Sequence, residues 1–102
     1  MKTGAELIRI ERVRQIMKLD YGCDHDDRLK SRQLARMADS YLATHVVPEA
    51  GKKRAQMSTA WTWPESSIPR ANFKPSNDPV RNLVIAGALI AAEIDRLQRA
   101  KK

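Results

Sequence analysis

The sequence predicts an all-α protein: a small three-helix domain over residues 1–102, closed by a long, ordered Trp/Pro-rich loop and paired as a dimer. Three observations predict it. Apolar residues recur at three- and four-residue spacing in three stretches, about 4–18, 31–46 and 78–99. Proline and glycine collect mainly between those stretches, where they punctuate rather than break. At 102 residues, 42% apolar and 30% charged, the chain supplies one modest core, and a second copy would help to cover it.

The first helix reads as AELIRIERVRQIMK. Leu7, Ile10, Val13 or Arg14, and Met17 follow its period, with Arg9, Arg12 and Lys18 facing out and Glu11 and Gln15 one turn apart on a neighbouring stripe. Thr3 and Glu6 have the spacing of a capping box. Gly22 then offers an end, and Asp24-His25-Asp26-Asp27 follows. The second helix starts with Ser31 or a preceding aspartate as cap and carries Leu34, Met37 or Ala38, Tyr41, Leu42 and Val46 inward until Pro48 stops it.

Residues 48–76 lack a period. The basic Gly51–Arg54 run reads as an exposed turn, followed by Trp61, Trp63, Pro64, Ile68, Pro69, Phe73 and Pro75. Either a short helix forms around Gln56–Trp61 or the segment straps across the helices. The strap is favoured, because large rings are costly to leave in water. The last helix is the clearest element. Asn77 or Asp78 caps it ahead of Pro79, and Val80, Leu83, Val84, Gly87, Ile90, Ala91, Ile94 and Leu97 mark a broad apolar face. Its small residues Ala86, Gly87, Ala88, Ala91 and Ala92 leave room for close approach of another helix, which makes that face the expected dimer contact.

Charge and cysteine narrow the classes. No apolar run reaches the ~18–20 residues that cross a bilayer, so no membrane is expected. One cysteine, Cys23, excludes an intrachain disulfide, and the charged N-terminus does not read as a signal peptide, so the cytoplasm is expected. Residues 1–50 carry 9 basic against 8 acidic groups, and residues 51–102 carry 10 against 4, so +6 of the net +7 lies in the second half. Such a balance favours nucleic acid or an acidic protein as partner.

Two constellations carry chemistry, each beside a plainer account. Glu11, His25, Asp26, Asp27 and Glu93 are a candidate set for a divalent cation, magnesium or manganese, with His25 as proton relay. Against it, aspartates cap turns and helix starts, and Glu11, Asp39 and Glu93 have Arg14, Arg36 and Arg96 within a turn. Trp61, Trp63, Arg70, Phe73, Lys74 and Arg81 are candidates to grip a partner or to stack bases; the plainer account closes the rings over the core. No Gly-rich phosphate loop or nucleophile elbow supports an ordinary kinase or hydrolase.

Three pieces together resemble a family of small proteins of bacteriophages and prophages. They are GAELIRIERVRQI at 4–16, the HDD turn at 25–27 leading to LARMADSYL at 34–42, and WTWPE followed by FKPSNDPVRNLVIAGALIAAEIDRLQR. The chain departs from that family at Tyr21-Gly22-Cys23, where an acidic Gly-Trp turn is usual, and in a middle with few acids. The resemblance implies phage accessory biology: host takeover, counter-defence or handling of nucleotides. The first functional expectation is therefore a non-enzymatic, cofactor-free protein that binds and modulates a host protein complex, such as a defence system. The alternatives are a metal-dependent nucleotide-binding or nucleoside triphosphate-hydrolysing protein, and direct nucleic-acid binding through the basic surface.

Overall fold

Asp78 begins the longest helix as its sequence requires. Its carboxylate accepts the Val80 N–H at 3.0 Å, and Pro79 occupies the first turn of α4, Pro79–Ala100, where a missing N–H costs nothing. The computed structural model describes residues 1–19, 21–30, 32–57, 63–64 and 68–101, with the backbone alone at 48, 49, 54 and 57. Before α4 come α1 (Gly4–Leu19), a short α2 (Cys23–Asp27) and α3 (Gln33–Leu42). The Thr3 hydroxyl accepts the Glu6 N–H at 3.2 Å, so α1 starts at its expected cap. The cap expected at Ser31 lies outside the described residues; Arg32, with φ 66°, stands at that boundary and gives no side-chain cap.

The fold is mostly helical but not all-α. The second helix ends at Leu42, and Thr44–Glu49 (β1) pairs antiparallel with Lys52–Met57 (β2), Val47 opposite Arg54 and Glu49 opposite Lys52. Ala50 and Gly51 both have positive φ, 50° and 78°, the requirement of a two-residue turn whose twist matches the ribbon. Thr44, Val46 and Val47 favour a strand over another helical turn, and Pro48 is tolerated in a two-stranded ribbon because each strand has an unpaired edge.

The core forms where α3 lies against α4. Leu34, Met37, Ala38 and Tyr41 meet Ile85, Ala86, Leu89 and Ala92, and burial of each large aliphatic is worth about 1.5–3 kcal/mol. Ala86, Ala88 and Ala92 are fully buried inside the chain. The small residues of the last helix thus receive other helices of the same chain, α3 at Ala86 and Ala92 and Ile8 of α1 at Gly87.

Of the strap expected over 48–76, residues up to 57 belong to the ribbon instead, and the expectation holds for the described residues from Trp63 on. Trp63, Pro64 and Ile68 are buried, and the Trp63 indole donates to the Ile68 carbonyl at 3.1 Å. Residues 72–76 are pinned at three points. Asn72 donates to the Tyr21 hydroxyl at 3.3 Å, the Lys74 N–H donates to the Tyr41 hydroxyl at 3.0 Å, and Ser76 and Asn82 exchange two bonds of 2.7 and 2.8 Å. Among the described residues no helix is long and apolar enough to cross a membrane.

Candidate ligand-binding cleft

Glu11 and Gln15, four apart on α1, necessarily share one face of that helix, and in the fold it is the buried face. The expected apolar stripe is inverted: Ile10, Val13 and Met17 are exposed. Glu11 is only 1% exposed, yet its carboxylate is held by Arg14 at 2.8 Å and by Arg81 of α4 at 2.7 Å. Burial alone would raise the Glu11 carboxyl; the hydrogen bonds and charges of Arg14 and Arg81 outweigh it and set it below its ordinary value. The hydrogen bonds that Arg14 donates to Glu11 likewise raise its guanidinium.

Gln15 Nε2 donates to the same carboxylate at 3.3 Å. A carboxylate only accepts, so the amide orientation is fixed by chemistry, and Gln15 Oε1 is left buried with no donor among the described residues.

These side chains form one end of a cleft of about 620 Å³, within the size range of small-ligand sites. Arg14 and Lys18 of α1, Lys74 of the strap and Arg81 of α4 bring four cations to it against one carboxylate. Among the described residues neither lysine ammonium joins an ion pair, so both charges are available to an anion. Tyr21, Met37, Tyr41, Trp63, Ile85 and Leu89 supply the flat and apolar wall. Tyr41 sits edge-on to Phe73 at 4.9 Å and to Trp63 at 6.2 Å, which fixes the ring orientations. Burial pushes both tyrosine hydroxyls up, Tyr21 against its bond from Asn72 and Tyr41 against its bond from Lys74. They stay protonated at neutral pH and offer hydroxyls rather than charge.

The residues expected from sequence divide. Trp63, Lys74 and Arg81 meet in the cleft. Trp63, only 2% exposed, is a wall of the core and not a surface anchor. Phe73 is half-buried beside it, Arg70 lies exposed in the 3-10 turn Arg70–Asn72, and Trp61 lies outside the described residues. Gln15, Tyr21, Tyr41 and Asn72 were not anticipated as site residues. The one-turn spacing of Glu11 and Gln15 was the available signal, and it carries no sign of which face turns inward.

The candidate cation set is not brought together; each acid has its own arginine. Glu11 takes Arg14 and Arg81, and Glu93 takes Arg96 at 2.6 Å. Asp26 takes Arg12 at 2.6 Å and has His25 Nδ1 2.9 Å from its other oxygen, while Asp27 takes Arg99 of α4 at 2.7 Å. Among the described residues no group of three His, Cys, Asp or Glu side chains is placed to hold a metal. Nor do these aspartates cap a helix: they lie within α2, whose N-cap is Gly22, and they tie it to α1 and α4. Comparison with known proteins finds no family model, curated protein or solved structure that matches the chain.

Proposed function

We propose that this protein is a non-enzymatic binding protein whose cleft takes a small anionic ligand bearing a flat ring, of the nucleotide class. The observation that carries the reading is the joining, in one cleft of about 620 Å³, of a tyrosine and tryptophan wall with Arg14, Lys18, Lys74 and Arg81. Phosphate groups suit the two lysines, whose charges are not already matched by an acid. A ring suits the wall, and a ring N–H or amino group suits the buried Gln15 Oε1, which lacks a donor. Of the roles that the phage resemblance implies, the handling of nucleotides is the one this chemistry serves. The metal-dependent version is set aside, since the acids are each neutralised by arginine. Occupation of a host protein complex rests on the resemblance and on Arg70, which among the described members of the expected contact set is exposed outside the cleft.

Calorimetric titration of the whole chain with nucleoside mono- and triphosphates, in the presence of a chelator, tests the reading. A nucleotide is expected to bind at least about tenfold more tightly than inorganic phosphate, a difference of ~1.4 kcal/mol. Replacing both Lys18 and Lys74 by Glu should weaken it by a further factor of about ten or more. No measurable binding across the panel, or binding only once a divalent metal is restored, would sink it.

A further inference from the structure

The cleft holds one buried acceptor that no described residue uses. Gln15 Oε1 lacks a donor, although Gln15 is only 1% exposed. The carboxylate beside it has nothing to spare. Glu11 Oε1 accepts from Arg14 Nε and from Arg81, and Glu11 Oε2 accepts from Arg14 and from Gln15 Nε2. A buried acceptor left unpaired costs free energy, and a ligand that brings an N–H to it recovers that cost.

The groups around this acceptor donate. Tyr21 is tied to Gln15 through the backbone, its N–H donating to the Gln15 carbonyl at 3.0 Å. The Tyr21 hydroxyl accepts from Asn72, and the Tyr41 hydroxyl accepts from the Lys74 N–H. A phenol has one proton to give, and among the described residues neither of these protons has an acceptor. Tyr41 lies within electrostatic reach of Tyr21, Glu11 and Arg14, so hydroxyls, guanidinium and amide share one end of the cleft. That end offers one free buried acceptor among several donors.

We propose, resting on the reading of the cleft as a nucleotide site, that Gln15 selects the base and that the base is uracil or thymine. The edge of these rings is a single imide N–H between two carbonyl oxygens, the complement of one acceptor among donors. The other bases fit it less well. Guanine sets an amino group beside its ring N–H, and that second donor meets the tyrosine protons. Adenine and cytosine lead with an amino group, whose two N–H bonds a single amide oxygen cannot both take. Each mismatch strands a buried donor, at a cost on the order of tenfold in affinity.

Calorimetric titration of the whole chain with the monophosphates of uridine, thymidine, cytidine, adenosine and guanosine is the test, with N3-methyluridine monophosphate beside them. The uridine or thymidine nucleotide should bind at least about tenfold more tightly than the other three, and methylation of the imide nitrogen should remove that advantage. Gln15→Met keeps the length of the side chain and removes the acceptor, so both the preference and the cost of methylation should vanish in it. Equal binding of all five bases, or of the methylated and parent uridine nucleotides, overturns the inference and leaves the nucleotide reading standing. So does a preference that persists in Gln15→Met. Absence of binding by every nucleotide overturns both. The methylated ligand is tested on the unaltered chain, which keeps the result decisive if Gln15→Met does not fold.

Discussion

The two faces of α1 are assigned opposite to habit, whereas α4 buries a mainly apolar face that also carries polar groups. The inner face buries Glu11, Gln15, Asn82, Glu93 and Arg96, whereas the outer face exposes Ile10, Val13, Met17, Leu83, Ile94 and Leu97. A free-standing helix would reverse this, since burial of a polar group costs free energy unless it is bonded and exposure of a large aliphatic forgoes about 1.5–3 kcal/mol. The inner polar groups are nearly all bonded. Glu11 has two arginines, Glu93 has Arg96, and Asn82 exchanges two bonds with Ser76. The outer groups have no such compensation in one chain. What the contrast teaches is that a helix can bury its polar stripe when nearly every group on it finds a bonding partner.

The largest effect should come from breaking the inner pairing where it is driest. The Asp26 side chain is fully buried, and Arg12, bonded to it at 2.6 Å, also donates to the Tyr21 carbonyl at 3.0 Å. Arg12→Ala leaves a buried carboxylate with only His25 beside it, and a loss of about 3–5 kcal/mol is expected in urea unfolding. Arg12→Met with Asp26→Leu removes both charges and should recover most of that loss. If the single and double changes cost the same, the pair is not what holds α2 to α1.

A middle-sized effect belongs to Glu11, because its partners reach water. The Arg14 and Arg81 side chains are 41 and 36% exposed, so Glu11→Gln strands neither completely, and ~1–2 kcal/mol is expected. The pH dependence has a definite sign. Glu11 sits below its ordinary value of 4.5 in the fold, so the unfolded chain takes up the proton first as pH falls. Its contribution is complete above that ordinary value and is lost as pH drops through the folded one. Wild type and Glu11→Gln should therefore differ most near neutrality and converge in acid. A gap that widens in acid would remove the ion pair from the inner face.

Much of this architecture was legible in the sequence, and the parts that were not share one cause. The Thr3 and Asp78 caps, the span of α4 and the Leu34, Met37, Tyr41 line of α3 follow from local chemistry, and local chemistry was enough. The ribbon was missed because its turn is Ala50-Gly51, and the usual signal at the first of these positions is Asn or Asp. The orientation of α1 was missed because periodicity reports a stripe without saying what covers it. Glu11 turns inward to meet Arg81, seventy residues away, in a cleft that Asn72, Lys74 and Ser76 of the strap also line. Similarly, nothing local to Asp26 and Asp27 points to Arg12 on one helix and Arg99 on another. Long-range ion pairs chose between faces that composition left equivalent.

The smallest effect is expected at Gly87, the residue where the two faces adjoin. Alanine there should gain about 1 kcal/mol from helix propensity. Its Cβ would meet Ile8 Cδ1 at 2.6 Å and Cγ1 at 2.9 Å, and overpacking of this kind costs ~1–3 kcal/mol when nothing yields. Ile8 is only half-buried, so its end can swing toward solvent, and the two terms should nearly cancel. Gly87→Ala alone is therefore expected to change stability by less than about 1 kcal/mol in urea unfolding. The informative quantity is its coupling to Ile8→Val, which removes the Cδ1 atom that lies nearest. In a double-mutant cycle the pair should be more stable than the sum of the single changes, by roughly 0.5 kcal/mol or more. Full stabilisation by Gly87→Ala without any coupling would mean that α1 does not cross α4 at this point.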